Sequence, residues 1–292
     1  MSNSDLIQRF IFDDLDVRGM VAGLESSYQD ALKYHNYPPV IRRHLGEMMA
    51  AAALLSTSLK FEGRLSLQAQ GTGAVRLLMA EITDKRELRA IARFDHELPT
   101  SMAFNELLVD GQMAITIEPT QGQRYQGVVP LQGKTLAACL ESYFVQSEQL
   151  PTLIRLAADD THAAGFMVQV MPSQLTKDTD GWERIEQLAA TLKNEELISL
   201  DNQELLYRLY HEEDCRVYEG QTIQFKCDCS RERCANSLCF MEQEELEQIL
   251  AEDGCVEVSC QFCNQSYQFD EIDIKTLGSE RARIGGAKSA LH

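Results

Sequence analysis

Four cysteines near the end of the chain, paired as Cys227-Asp228-Cys229 and Cys260-Gln261-Phe262-Cys263, constrain the fold more than any other feature. Two chelating turns separated by residues 230 to 259 are how a small domain gathers a closed tetrahedral shell of four thiolates. C-x-x-C is a common zinc knuckle, whereas C-x-C is tighter than the usual spacing. Its sulfurs can still converge, because residues i and i+2 of an extended segment point to the same side. The spacing therefore predicts one Zn2+ held by Cys227, Cys229, Cys260 and Cys263.

The compartment bears on that reading. Met1 to Leu6 has no basic n-region, acids recur at Asp13, Asp14 and Asp16, and no long apolar h-region follows, so the expectation is a cytoplasmic protein. The longest apolar run, Met48 to Leu55, is far shorter than the roughly 20 residues of a membrane span. A reducing cytosol makes clustered thiols metal ligands or redox actors before structural disulfides. Only Cys139 precedes residue 200; Cys215, Cys234, Cys239 and Cys255 crowd around the four paired cysteines, so the thiol chemistry belongs to the C-terminal quarter. A net charge of −18 repels phosphate backbones and anionic lipid, which argues against nucleic-acid and membrane partners.

At 292 residues the chain can bury one substantial core and a second, smaller one. Residues 65–70, 112–117 and 125–129 read as strands, and Val40–Leu59 and Leu136–Ser147 as helices, with Gly-rich turns and no steady strand–helix alternation. This predicts an α+β first domain over 1–172, not a Rossmann sheet. The polar run Ser173–Gly181 sets the boundary, and a helical linker is expected over 173–224. Within it Trp182, Ile185, Leu188, Ala189 and Leu192 form one stripe, and Asp201–Glu204 a capping-box-like start before Leu205, Leu206 and Leu209. Such short helices need a partner surface. The third domain is placed at 225–292: a helix around Leu246, Ile249 and Leu250 stopped by Gly254, then strand 256–258 leading into a hairpin turn at Cys260–Cys263 and strand 267–269 leaving it. Residues beyond about Ser279 are read as a loosely ordered end.

A zinc ribbon that merely staples a domain is the plain reading of the four thiols. Both halves, however, place a resolving thiol one or two residues from any oxidised one, so each half can close a local disulfide. A structural zinc contributes roughly 10 to 16 kcal/mol, comparable to or above the roughly 5 to 15 that holds a domain folded. Local disulfides would not replace it, because they tie no distant parts together. Oxidation would then act as a reversible folding switch that also frees residues 182 to 210, whose apolar stripes would bind unfolded proteins.

The run Phe225 to Cys234, with Ala251-Glu252-Asp253-Gly254 and Cys260 to Cys263, resembles the redox-switch domain of the thirty-three-kilodalton heat-shock chaperone family, HslO. Arg124 to Leu131, Glu141 to Phe144 and Ser147 to Thr152 resemble the same family, so the similarity spans essentially the whole chain. The resemblance implies a mixed β/α/β first domain and a cytoplasmic holdase. Such a holdase is inactive when reduced and zinc-bound, switched on by oxidants and dimeric once oxidised. It places the zinc ligands on Cys227, Cys229, Cys260 and Cys263 and implies the disulfides Cys227–Cys229 and Cys260–Cys263. The additional Cys215, Cys234, Cys239 and Cys255 depart from a four-cysteine pattern and leave mixed pairing open.

Other signals are weak. Gly71-Thr72-Gly73 lacks the third glycine and a Walker lysine, and reads as a turn. Cys139 reads as a small buried hydrophobe, and His211 with Glu212, Glu213 and Asp214 as a solvated acidic face. No hydrolase, metalloprotease or nucleophile motif is legible, so no enzyme is expected. Weighed against a thiol oxidoreductase and a constitutive zinc-ribbon interaction protein, the redox-regulated chaperone that holds unfolding clients under oxidative stress is the reading adopted.

Overall fold

Strands whose two faces both meet apolar layers show little alternation of hydrophobic and polar residues, and Val17–Leu24 and Ala163–Val170 in the first sheet of this protein are such strands. The computed structural model describes residues 4–277 apart from 59, 60, 96, 97, 100 and 173–179. It divides into two compact units, Met1–Lys226 and Cys227–His292. The polar run over 173–179, the helix end at Leu59 and the chain beyond Ser279 lie outside the described residues.

In the first unit, strands Leu6–Phe12, Val17–Leu24, Ala163–Val170 and Thr152–Ala158 pair antiparallel in that spatial order. Ile7, Met20, Ala22, Leu24, Ile154, Leu156 and Met167 face one core, while Phe10, Phe12, Val17, Val21, Leu153, Phe166 and Val168 face another. Residue parity along each strand decides the face. At Gly19 the opposing Phe10 ring occupies the space of a side chain, and a Cβ there would sit 2.0 Å from Phe10 Cζ.

A second antiparallel sheet holds Glu87–Phe94, Val75–Thr83, Gly63–Gln70, Gln112–Pro119 and Tyr125–Pro130. Helix Pro39–Ser58 packs against strands of both sheets, and Met48 to Leu55 is buried along its whole length. A helix apolar all round needs cover on every side, and the two sheets supply it. This is the mixed β/α/β arrangement that the resemblance implies, within an α+β chain. The expected helix over Leu136–Ser147 is α-helical only to Tyr143 and continues as a π-turn over Phe144–Glu148.

The outer face of the first sheet is covered by three short helices, Gly181–Ala190, Asn194–Ser199 and Asn202–Tyr210, where the sequence pattern predicted two. At ten, six and nine residues each is below the roughly 12 to 15 at which an isolated helix persists. They are held by burying Ile185, Ala189, Leu192, Leu197, Leu205 and Leu209 against the sheet. Asp201 caps the last of them, its carboxylate accepting from the Glu204 amide at 2.8 Å. The strap that follows pairs Cys215–Val217 and Gln221–Thr222 with strand Leu6–Phe12 and buries Ile223 in the main core. It then lays Gln224–Phe225 parallel to Glu87–Leu88. Lys226 closes the unit with a 2.5 Å ion pair to Glu87.

The second unit is a hairpin, Val256–Ser259 with Ser266–Phe269, and helices Arg231–Leu238 and Gln243–Asp253. Gly254 ends the longer helix in a left-handed conformation, φ 79°. Its core is small: Cys234, Leu238, Leu246, Val256, Phe269 and Ile274. An apolar nucleus of that size rarely stabilises a domain without a staple.

Candidate metal centre

The two cysteine pairs are presented by different local devices. Cys227 and Cys229 lie in irregular chain that ends at Ser230, the N-cap of helix Arg231–Leu238, whose hydroxyl accepts from the Arg233 amide at 3.2 Å. The Arg233 guanidinium reaches back to the Asp228 carbonyl at 3.1 Å and pairs with the Asp228 carboxylate, which fixes the residue between the two thiols. Cys260 and Cys263 sit in the expected hairpin turn: the Cys260 amide donates to the Gln265 carbonyl at 2.9 Å and the Asn264 amide to the Cys260 carbonyl at 2.8 Å. Asn264 adopts the left-handed conformation the turn requires, φ 53°.

These devices bring all four sulfurs within 4.8 Å of one another. Cys227 Sγ lies 3.6 Å from Cys260 Sγ, and Cys229 Sγ lies 3.5 Å from Cys263 Sγ, so the contacts join one half to the other. A tetrahedral zinc with bonds of about 2.3 Å would separate its sulfurs by about 3.8 Å. The donor set and its spacing therefore fit a four-thiolate metal ion. Cys260 is buried and the other three are half-buried. Among the described residues no other group of three or more potential ligands is assembled.

The thiols differ in how readily they ionise. Burial pushes Cys227 up, although the Cys229 amide donates to it, and burial likewise pushes Cys263 up against donation from the Gln265 amide. Burial also opposes ionisation of Cys260, but the amides of Phe262 and Cys263 and the neighbouring thiols outweigh it and hold Cys260 below the usual value. Cys260, the most buried of the four sulfurs, is thus the one whose ionised form is favoured by the amides and thiols around it.

Tyr267 is a neighbour that sequence reasoning missed. Its hydroxyl lies 3.3 Å from Cys229 Sγ. It stands on the strand leaving the C-x-x-C turn, and the position of an aromatic with a polar tip four residues after Cys263 is the signal that would have found it. The remaining cysteines lie outside the group of four. Cys234 is in the small core, Cys239 donates to the Ala235 carbonyl at 3.7 Å, and Cys255 is half-buried before strand Val256–Ser259. Cys215 belongs to the strap, and burial, with Asp214 nearby, raises its thiol to about 11. Cys139 is buried, as expected, and Gly71–Gly73 lies in a turn against the backbone of Leu107 and Leu108. No described helix is long and apolar enough to cross a membrane.

The family model described as Hsp33 protein matches residues 5–270. A protein of Shewanella loihica named 33 kDa chaperonin is 46% identical over 275 residues, covering 94% of this chain and 96% of its own length. One of Azotobacter vinelandii with the same name is 49% identical over 283 residues, covering 95% of each. The crystal structure of the 33 kDa chaperonin, a heat shock protein 33 homolog, from Thermotoga maritima superimposes with a TM-score of 0.80 at 25% identity. That match covers 96% of this chain and 99% of the other.

Proposed function

The chain belongs to the Hsp33 family, one of chaperones and not of enzymes, and from that premise we propose that it is a cytoplasmic, redox-regulated holdase for unfolding proteins. The observation that carries the proposal is the convergence of Cys227, Cys229, Cys260 and Cys263 on a unit whose own apolar core is small. In the reduced protein these four thiolates would hold one Zn2+. When bound, the ion ties the two halves of the unit together and adds roughly 10 to 16 kcal/mol to its folding.

The chain's own residues supply the switch. A thiolate that attacks the O–O bond of peroxide becomes a sulfenic acid with release of water or hydroxide, and the neighbouring thiol, two or three residues along the chain, displaces the oxygen as a second water. Two thiols and one peroxide thus give one disulfide and two waters. In the proposed pairing, Cys227 closes with Cys229 and Cys260 with Cys263, which removes all four ligands. Neither crosslink joins the two halves, so the small core is left without its staple.

Client binding would draw on the apolar surface between the helical cover and the first sheet, where Leu205, Leu209 and Tyr210 meet Phe10, Phe12 and Phe166. Three helices too short to persist alone are suited to release. Dimerisation on oxidation is part of the proposal. The test is aggregation of an unfolding client with reduced zinc-loaded protein and with peroxide-treated protein, zinc release being followed by a chromogenic chelator. Suppression that appears with zinc release and reverses with reductant is expected; zinc retained, or lost without gain of client binding, would leave a constitutive zinc-ribbon interaction protein.

A further inference from the structure

The hairpin that carries Cys260 and Cys263 also carries Tyr267, whose cross-strand partner is Val258. The phenol makes its hydrogen-bond contact with the other half of the site. It reaches Cys229, 38 residues away in sequence, at 3.3 Å. A thiol could donate or accept in this contact, but a metal-bound thiolate has no proton, so in the loaded site only the tyrosine can donate. Hydrogen bonds to ligand atoms orient them and disperse their charge, and their removal weakens metal binding. Tyr267 is also partly packed on the small core, so its hydroxyl is positioned by the hairpin and not by solvent.

Resting on the zinc reading above, we propose that Tyr267 is a positioning residue of the metal centre: its hydroxyl donates to the Cys229 thiolate, adds a contact between the C-x-x-C half and the C-x-C half beside the ion, and sets how fast the metal is lost. A phenol on Cys229 withdraws electron density from that sulfur and makes it a poorer nucleophile toward oxidant.

The experiment compares wild type, Tyr267→Phe and Val258→Ala as full-length protein. Tyr267→Phe deletes the donor and keeps the ring, while Val258→Ala disturbs the same hairpin packing and keeps the donor. Zinc transfer to a chromogenic chelator without oxidant is expected to show about 10- to 100-fold weaker retention in Tyr267→Phe and wild-type retention in Val258→Ala. After cobalt(II) substitution the thiolate-to-metal band should move to longer wavelength in Tyr267→Phe alone, because the sulfur electrons are no longer stabilised by the phenol. Unchanged retention and band in Tyr267→Phe, or equal losses in both variants, would overturn the inference while leaving the zinc reading intact. A wild-type protein that takes up neither metal would instead remove the zinc reading itself, and this inference with it.

Discussion

The ring of Tyr210 stands edge-on to the ring of Phe12, with centroids 4.8 Å apart and planes at 79°, and so pins the last residue of the helical cover to the first strand of the chain. Phe10 and Phe166 surround the same ring at 6.1 and 6.4 Å. Truncating an aromatic so enclosed costs about 3 to 5 kcal/mol, much of what cover helices this short can gain from packing.

Tyr210→Ala should therefore release the cover without oxidation. Limited proteolysis of the reduced, zinc-loaded variant is expected to cut within residues 181 to 210 and to be accompanied by client binding. A segment that stays protected would show that the helices are held elsewhere, for example by the Arg184–Glu213 ion pair at 2.5 Å.

Loss of one ligand should be as severe as loss of the metal. Cys260→Ser removes the most buried thiol of the four and leaves three ligands where a closed site needs four. Calorimetry of the variant is expected to lose the transition of the C-terminal unit and keep that of the first unit. Two intact transitions, with or without chelator, would mean that the small core suffices.

The pH response of Cys215 reports on the strap. Burial, with Asp214 adding to it, raises its folded value to about 11 from an ordinary 9.0. A raised value favours the protonated form on folding, so this contribution to stability is fully present below about pH 9 and fades as pH climbs through about 11. At pH 8 the thiolate of Cys215 should be about tenfold to a hundredfold scarcer in the folded strap than in a released one. Alkylation read by mass spectrometry should thus label Cys215 slowly in wild type and quickly in Tyr210→Ala; equal rates would dissociate the strap from the cover.

Gly254→Ala tests the C-terminal unit through its backbone. The residue ends helix Gln243–Asp253 at φ 79°, and nothing lies within 4 Å of the position a Cβ would take, so the cost is conformational and not steric. It should amount to about 1 to 2 kcal/mol, with Gly254→Asn closer to wild type. Thermal unfolding of the metal-loaded unit measures it, and an unchanged midpoint would show that the helix end relaxes freely.

Much of the site was legible because its information is local. The spacings C-x-C and C-x-x-C, the stop at Gly254 and the alternation around Cys260 each act over a few residues, and the hairpin and helix form where those patterns place them. The strands Val17–Leu24 and Ala163–Val170 were not legible, since burial on both faces erases the period of two. The helix Asn194–Ser199 escaped notice because six residues carry too little periodicity to register. Tyr267 escaped because its partner Cys229 lies in the other half of the site.

Local sequence pattern sets four thiols in two chelating pairs and two amphipathic stripes that need a surface to cover, all on an acidic chain. That Cys227 meets Cys260 and Cys229 meets Cys263, and that the stripes find their surface on the outer face of the first sheet, emerges only with the folded chain. The reason is physical: chelate spacing and helix stripes are set by covalent geometry over a few bonds. Which faces meet is set by burial summed over residues that are distant in the chain and adjacent only once it has folded.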